Sequence, residues 1–486
     1  MKSVNFTLRP MAFRCLTVLA LIILLGGCSL APRYTRPPAP VPGQWPQGAA
    51  YKSGDVPALP QDVQSLAWQA FFTDPRLQQV IETALENNRD LRLAALNLER
   101  VRGVYGIQRA EFYPVVDFSG SASKLGRSRD LITTSYPRTI EQYTVDFGIA
   151  AWEIDFFGRL KSLKDQALEE YLATDQARSS AQIALMAEVA RTYFTLAADQ
   201  ENLALARATL ENQQASFDLI QKSYNAGLVT EIDLHQAQTQ VDAAKRDVPR
   251  FTQLVAQDKN ALTLLAGGEV PEALLPAGLD GIAALEPLSP GLSSAVLLNR
   301  PDIVAAEHRL KGANAFIGAA RATLFPRISL TGALGTASDD LAGLFKSDSS
   351  TWNFTPQISV PIFDARAWAA LGVSKTDRRI ILTQYERAIQ TAFREVADAL
   401  AVQGTIDDQL AAQKSLVNSV AATYDLSGKR YNMGLDSYLG VLDAHRSLYT
   451  QQQVLISLRL TRLASQVTLY AVLGGGGNPP MAGGDL

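Results

Sequence analysis

The chain has 486 residues, 47% of them hydrophobic and 19% charged, and 45 Lys+Arg against 48 Asp+Glu leave a formal net charge of −3. That length is enough for about three domains of ordinary size, and the charge balance gives no reason to expect a nucleic-acid partner. The composition is neither that of a disordered chain nor that of a multi-span helical membrane protein, and three histidines (His235, His308, His445) with two cysteines (Cys15, Cys28) make no disulfide framework and no Cys/His zinc site.

Residues 1–27 read as a lipoprotein signal peptide. Lys2, Arg9 and Arg14 precede the apolar run Leu16 to Leu25, which has the length of a signal-peptide h-region and is too short to span a bilayer as a helix. The run ends in Leu25-Gly26-Gly27-Cys28, which resembles the bacterial lipoprotein box, where small residues before the cysteine admit a peptidase and the thiol takes lipid. Ordinary cleavage beside a chance cysteine and an uncleaved anchor are the plainer alternatives; charge, length and box together favour lipidation. Cys28 is therefore expected to carry N-palmitoyl and S-diacylglycerol groups and no other cofactor is expected. Ser29, in place of Asp after the cysteine, points to sorting to the outer membrane.

Residues 28–67 form a lipidated extended tether, because Leu30 to Pro60 is proline-rich and includes Pro37-Pro38-Ala39-Pro40-Val41-Pro42. Folded sequence begins at Trp68-Gln69-Ala70-Phe71-Phe72, and Asp74-Pro75 is a helix start with proline in the first turn. Two tandem repeats follow, 68–268 and 298–475, joined by a linker at 269–297 and trailed by a flexible tail at 476–486. Asn88-Arg89 recurs as Asn299-Arg300, Phe112-Tyr113-Pro114 as Leu324-Phe325-Pro326, Tyr224 to Leu228 as Tyr431 to Leu435, and Ala266-Gly267-Gly268 as Leu473-Gly474-Gly475. Two copies favour one pseudo-symmetric body over a solenoid.

Each repeat reads helix, strand, loop, strand, very long helix, turn, helix. Neither Gly nor Pro occurs between Gly158 and Gly227, a stretch that as one helix runs on the order of 100 Å. Val189, Leu196, Leu203, Leu210, Phe217 and Tyr224 recur at heptad spacing, as do Leu442, Tyr449, Ile456, Leu463 and Tyr470. That period predicts coiled-coil packing of long antiparallel helices, with Ala190, Ala197 and Ala204 beside the stripe allowing close approach. The strands show a different period: Trp352 to Val360 and Arg327 to Leu334 alternate apolar with polar. Tyr143, Val145, Phe147 and Ile149 alternate, then the phase slips at Ala150-Ala151 to Trp152, Ile154 and Phe156, which predicts a bulge. Runs of about nine to eleven residues suit a tilted membrane-crossing strand; the plainer reading is the edge of a soluble sandwich. Four strands cannot close a barrel, and open edges are not tolerated in lipid, so strands that span must be shared among several chains.

The residues Cys28-Ser29-Leu30-Ala31-Pro32, Trp68 to Asp74, Phe112-Tyr113-Pro114, Asp155-Phe156-Phe157-Gly158-Arg159, Tyr431 to Leu435 and Leu442 to Leu448 resemble the TolC-type outer-membrane efflux channels, lipoprotein (OprM-like) branch. The resemblance implies an α+β membrane protein in which a long antiparallel α-helical coiled-coil barrel, the periplasmic tunnel, is continuous with a trimeric 12-stranded transmembrane β-barrel, four strands per chain. It further implies a homotrimer in outer-membrane lipid that works with a periplasmic adaptor and an inner-membrane efflux transporter as the passive exit duct of an RND-type tripartite pump for drugs or other small molecules.

By the same resemblance the inner helix of the second repeat closes the periplasmic end, and the matching positions are Leu435, Leu439, Asp443 and Arg446. At 100° per residue they span an arc of about 80°, so threefold copies make two apolar rings and a carboxylate ring expected to respond to protonation. A solvated i, i+3 ion pair on a coiled-coil face is the alternative, and Leu442 adjoins the same arc, so spacing does not separate lumen from helix interface. The first repeat has Leu228, Ile232, Gln236 and Thr239 there, without charge. The turns at Asn225-Ala226-Gly227 and Asn432-Met433-Gly434 are helix-hairpin tips; the resemblance makes Asn225, Gly227, Asn432 and Gly434 adaptor-docking positions. Glu153 and Asp155, the one imaginable catalytic pair, sit at a strand-to-helix junction where capping is the simpler role. No enzyme motif is present. A coiled-coil envelope lipoprotein acting as scaffold or tether without a pore also explains the lipid and the heptads, but not the paired strands.

Overall fold

The structure is a computed structural model that describes residues 29–51, 63, 66–131, 137–288 and 293–477. The signal peptide, Cys28 and the tail from 478 lie outside the described residues. The chain forms two compact units that cut across the two repeats: one takes the chain up to Pro38 with Leu98–Thr174 and Ala306–Tyr385, the other Ala39–Asn97, Asp175–Ala305 and the chain from Glu386.

In chain order the elements are α1 (Trp68–Phe71), α2 (Pro75–Asn87), α3 (Arg89–Ala110), β1 (Val116–Gly126), β2 (Thr139–Ile154), α4 (Arg159–Asn225), α5 (Glu231–Ala266), α6 (Pro301–Ala322), β3 (Arg327–Ser338), β4 (Ser350–Ser359), α7 (Ala365–Asn432) and α8 (Tyr438–Val472). The order expected for each repeat is thus observed twice. α4 runs unbroken for 67 residues and α7 for 68.

The first unit holds a four-stranded antiparallel sheet in the order β1-β2-β3-β4. Sequence alternation singles out three of these strands; β1, rich in Ser and Gly, is defined by its pairing with β2. Register places Phe118, Phe147, Leu334 and Trp352 side by side in one row across all four strands, with exposures of 74%, 60%, 64% and 75%. Paired residues share a face, so the opposite face carries Asp117, Ser119, Thr144, Asp146, Asn353 and Thr351. The expected bulge lies between Ile149 and Trp152, with Ala151 at φ 50. It restores Trp152 and Ile154, opposite Leu330 and Ile328, to the apolar face; without the extra residue every side chain beyond it would sit on the polar one. Among the described residues this apolar row stays open, without the second layer that a soluble sandwich packs against it.

Over its described residues the proline-rich segment is extended, yet it is fastened instead of free. Leu30 O accepts from Arg321 Nη1 at 3.0 Å and Pro32 O from Asn314 Nδ2 at 2.6 Å. Tyr34 donates to Glu307 at 3.1 Å and Arg36 at 2.5 Å, and Lys311 stands 3.4 Å from the same carboxylate. Burial works to raise the Glu307 carboxyl, but Arg36, Lys311 and the Tyr34 hydroxyl hold it below its usual range.

In the second unit Asp74 caps α2 by accepting from Arg76 N and Leu77 N, with Pro75 in the first turn. Phe71 stacks on Tyr470 at 4.1 Å. Val189, Leu196, Leu203, Leu442, Ile456 and Tyr470 of the heptad stripes are buried, as are Ala190 and Ala197. Ala204, expected beside the seam, is exposed, because the adjoining buried position is Ala206, which packs with Leu203 and Phe251 of α5. The repeats are clasped alike: Asn88 Nδ2 donates to Leu265 O at 2.9 Å in the first, and Arg300 Nη1 to Val472 O at 2.8 Å in the second.

Candidate functional site

α4 and α7 end in the same turn. Gly227 and Gly434 have φ of 74° and 73°, the left-handed region that glycine enters without a side-chain penalty. Leu228 N donates to Ser223 O at 2.9 Å, and Leu435 N to Arg430 O at 3.0 Å, which satisfies the last helical carbonyls by the same six-residue closure. Thr230 and Asp233 form a capping box at the start of α5. The hairpins α4–α5 and α7–α8 pack at this end through Ile220, Ala237, Tyr438 and Leu442, with Phe217, Val229, Leu234, Tyr431 and Val441 around them. Asn225, Gly227, Asn432 and Gly434 are exposed on the two turns.

Leu442 is 5% exposed within that core, which resolves what spacing left open: it belongs to the helix interface. Leu439, 48% exposed, shares a face of α8 with the exposed pair Asp443 and Arg446, joined at 2.9 Å, whereas Leu435, 61% exposed, lies in the turn before α8 and so outside the helical arc expected for it. Within one chain this pair lies one turn apart on a single helix and ties no two helices together. The first repeat presents Leu228 and Ile232 to solvent in the matching places, while Thr239 spends its hydroxyl on His235 O at 2.9 Å.

Sequence reasoning missed a second ion pair, Arg430 with Asp436, which straddles the α7–α8 turn. The hydrogen bond from Arg430 holds Asp436 below the usual carboxylate range. Opposite charges flanking the glycine turn were its only signal; the first repeat has Ser223 and Val229 there and no such brace.

At the strand-to-helix junction Asp155 caps α4, accepting from Arg159 N at 2.7 Å and Lys161 N at 2.8 Å. Glu153 is held by Arg159 at 2.8 Å and Arg327 at 2.6 Å. Both carboxylates are thus engaged in holding the junction. Among the described residues no group of three metal-ligating side chains occurs, and no helix is long and apolar enough to cross a membrane.

Comparison with known proteins matches residues 80–268 and 292–475 to the family described as outer membrane efflux protein. The solvent efflux pump outer membrane protein SrpC of Pseudomonas putida is 47% identical over 96% of this chain and 99% of its own. The outer membrane protein OprJ of Pseudomonas aeruginosa is 38% identical over 95% of each. Among solved structures, the open state of the MtrE outer membrane channel of Neisseria gonorrhoeae superposes with a TM-score of 0.82 at 35% identity, covering 92% of this chain and 98% of that one. CusC superposes with a TM-score of 0.82 at 38% identity, over 92% and 100%.

Proposed function

The chain belongs to the outer membrane efflux protein family and is an outer-membrane efflux protein with the TolC-like channel fold; on that premise we propose that it is the passive exit duct of a tripartite pump, assembled as a homotrimer. The observation that carries this reading is the sheet: four strands with two open edges, an apolar row on one face and polar residues on the other. Open edges and uncovered apolar faces are stable in lipid only when the sheet closes into a barrel. β1 and β4 run in opposite directions, so β4 of one copy pairs antiparallel with β1 of the next, and three copies make twelve strands. The apolar row then faces lipid and the polar face lines the lumen. A scaffold lipoprotein without a pore leaves this sheet without a role, so we set it aside.

The strip Leu435, Leu439, Asp443 and Arg446 serves as the periplasmic gate, and the turns at Asn225, Gly227, Asn432 and Gly434 receive a periplasmic adaptor coupled to an inner-membrane transporter. Cys28, next to the fastened segment that begins at Ser29, carries the lipid. We assign no catalytic step to this chain. Relatives are named for efflux of solvents, toluene and antibiotics, which supports small apolar or amphiphilic molecules as cargo. Gel migration in detergent, heated against unheated, tests the assembly: a heat-labile trimer is expected, and a monomer stable without detergent would refute it.

A further inference from the structure

His445 lies on α8 between Asp443 and Arg446, but its ring turns inward. It is half-buried beside Asn212, Gln213 and Ser216 of α4, Tyr424 of α7 and Tyr438 of its own helix, around a cavity of ≈ 10 Å³, room for about one water. The Gln213 amide donates to its Nδ1 at 2.7 Å, and Tyr424 meets the ring edge-on at 5.0 Å. Gln213 is itself only 5% exposed. Three helices therefore meet on one imidazole, and the hydrogen bond it makes is to a neutral amide.

The groups facing the ring carry no charge. From α4 they are Asn212, Gln213 and Ser216, from α7 the phenol of Tyr424, and from α8 the phenol of Tyr438. The charges nearest along these helices are exposed: Glu211 and Asp218 on α4, Asp425 on α7 paired with Lys429, and Asp443 paired with Arg446. A protonated imidazole would keep a hydrogen bond, because the Gln213 amide can turn to present its oxygen, but it would have no counter-charge. The first repeat has Gln238 in the matching place, bonded on the surface to Asp242 at 2.8 Å, so its hairpin has no imidazole at the corresponding position.

We infer that His445 is a proton sensor of the tip: the neutral ring fits the closed packing of α8 on α4 and α7, and its protonation favours a tip in which α8 has moved away. The inference rests on the reading of the Leu435 to Arg446 strip as a gate. Burial holds the imidazole below its ordinary range in the packed tip, whereas a solvated histidine titrates near 6.5. The opened tip therefore binds the proton more tightly, and opening is promoted as pH falls from about 6.5 through the packed-state value. Each pKa unit between the two states contributes about tenfold per copy, and symmetric copies multiply.

The test is open probability of the full-length channel in planar bilayers between about pH 7.5 and about pH 5. The wild type should gain about tenfold or more on acidification, and His445→Gln, which copies the first repeat, should be flat. Gln213→Glu places a counter-charge beside the ring and should hold the channel closed at the acid end. An unchanged acid response in His445→Gln, or none in the wild type, overturns the sensor. Leu435→Ala at the neutral end reports on the gate separately: an inert Leu435→Ala refutes the gate, while an opening one beside an unchanged His445→Gln refutes the sensor alone.

Discussion

Leu435→Ala and Asp443→Ala distinguish the two ways the strip can close. In one chain Asp443 and Arg446 form an i, i+3 pair at 2.9 Å with side chains 59% and 68% exposed, and such a pair contributes at most about 0.5 kcal/mol. Three copies sum to about 1.5 kcal/mol, roughly a tenfold change in the opening equilibrium. Leu435 is 61% exposed in the single chain, so a ring closed at an axis buries surface that the chain alone leaves open. Truncation to Ala removes three carbons, about 2 kcal/mol per chain when fully buried, and about 6 kcal/mol over three copies. Half of that still exceeds the charge contribution, so the leucines should dominate. Single-channel recording in planar bilayers should show Leu435→Ala opening far more than Asp443→Ala, Asp443→Ala raising opening by no more than about tenfold, and Gln236→Ala doing less than either. An Asp443→Ala channel that opens more than Leu435→Ala would refute this reasoning and make the gate electrostatic.

Two further outcomes follow from single groups. Cys28→Ser should abolish incorporation of labelled palmitate while leaving the trimer intact; label that persists in the variant would refute the lipid assignment. Asp258 on α5 meets Asp199 on α4, and burial together with that neighbour pushes its carboxyl up to about 6. The folded state thus favours the protonated pair, so stability is highest below the unfolded value near 3.8 and falls as pH rises through about 6. Discounted for solvent exposure the penalty is about 1 kcal/mol at neutral pH. Asp258→Asn should remove it, raising the thermal midpoint in detergent by about 1 °C near pH 7.5 and not near pH 4; equal gains at both would show that charge is not the cause.

The features legible in the sequence are those encoded by neighbours. The lengths of α4 and its hairpin were readable because a stretch without Gly or Pro propagates helix until a left-handed residue such as Gly227 ends it. The bulge at Ala150-Ala151 was readable because a strand has period two and a phase slip must be absorbed somewhere. What tertiary structure alone decided are pairings between distant positions. Arg36 and Tyr34 reach Glu307, and no local rule distinguishes that carboxylate from its helix neighbours. β1 lacks the apolar alternation of the other strands and exists as a strand by its register with β2. Leu442 and Leu439 share an arc of α8, and only the packing of Ile220 and Tyr438 against one of them separates interface from exposed strip. Periodicity states which face of a helix is apolar; which half of that face meets a partner depends on where the neighbouring helix lies, and that is set by contacts hundreds of residues apart along the chain.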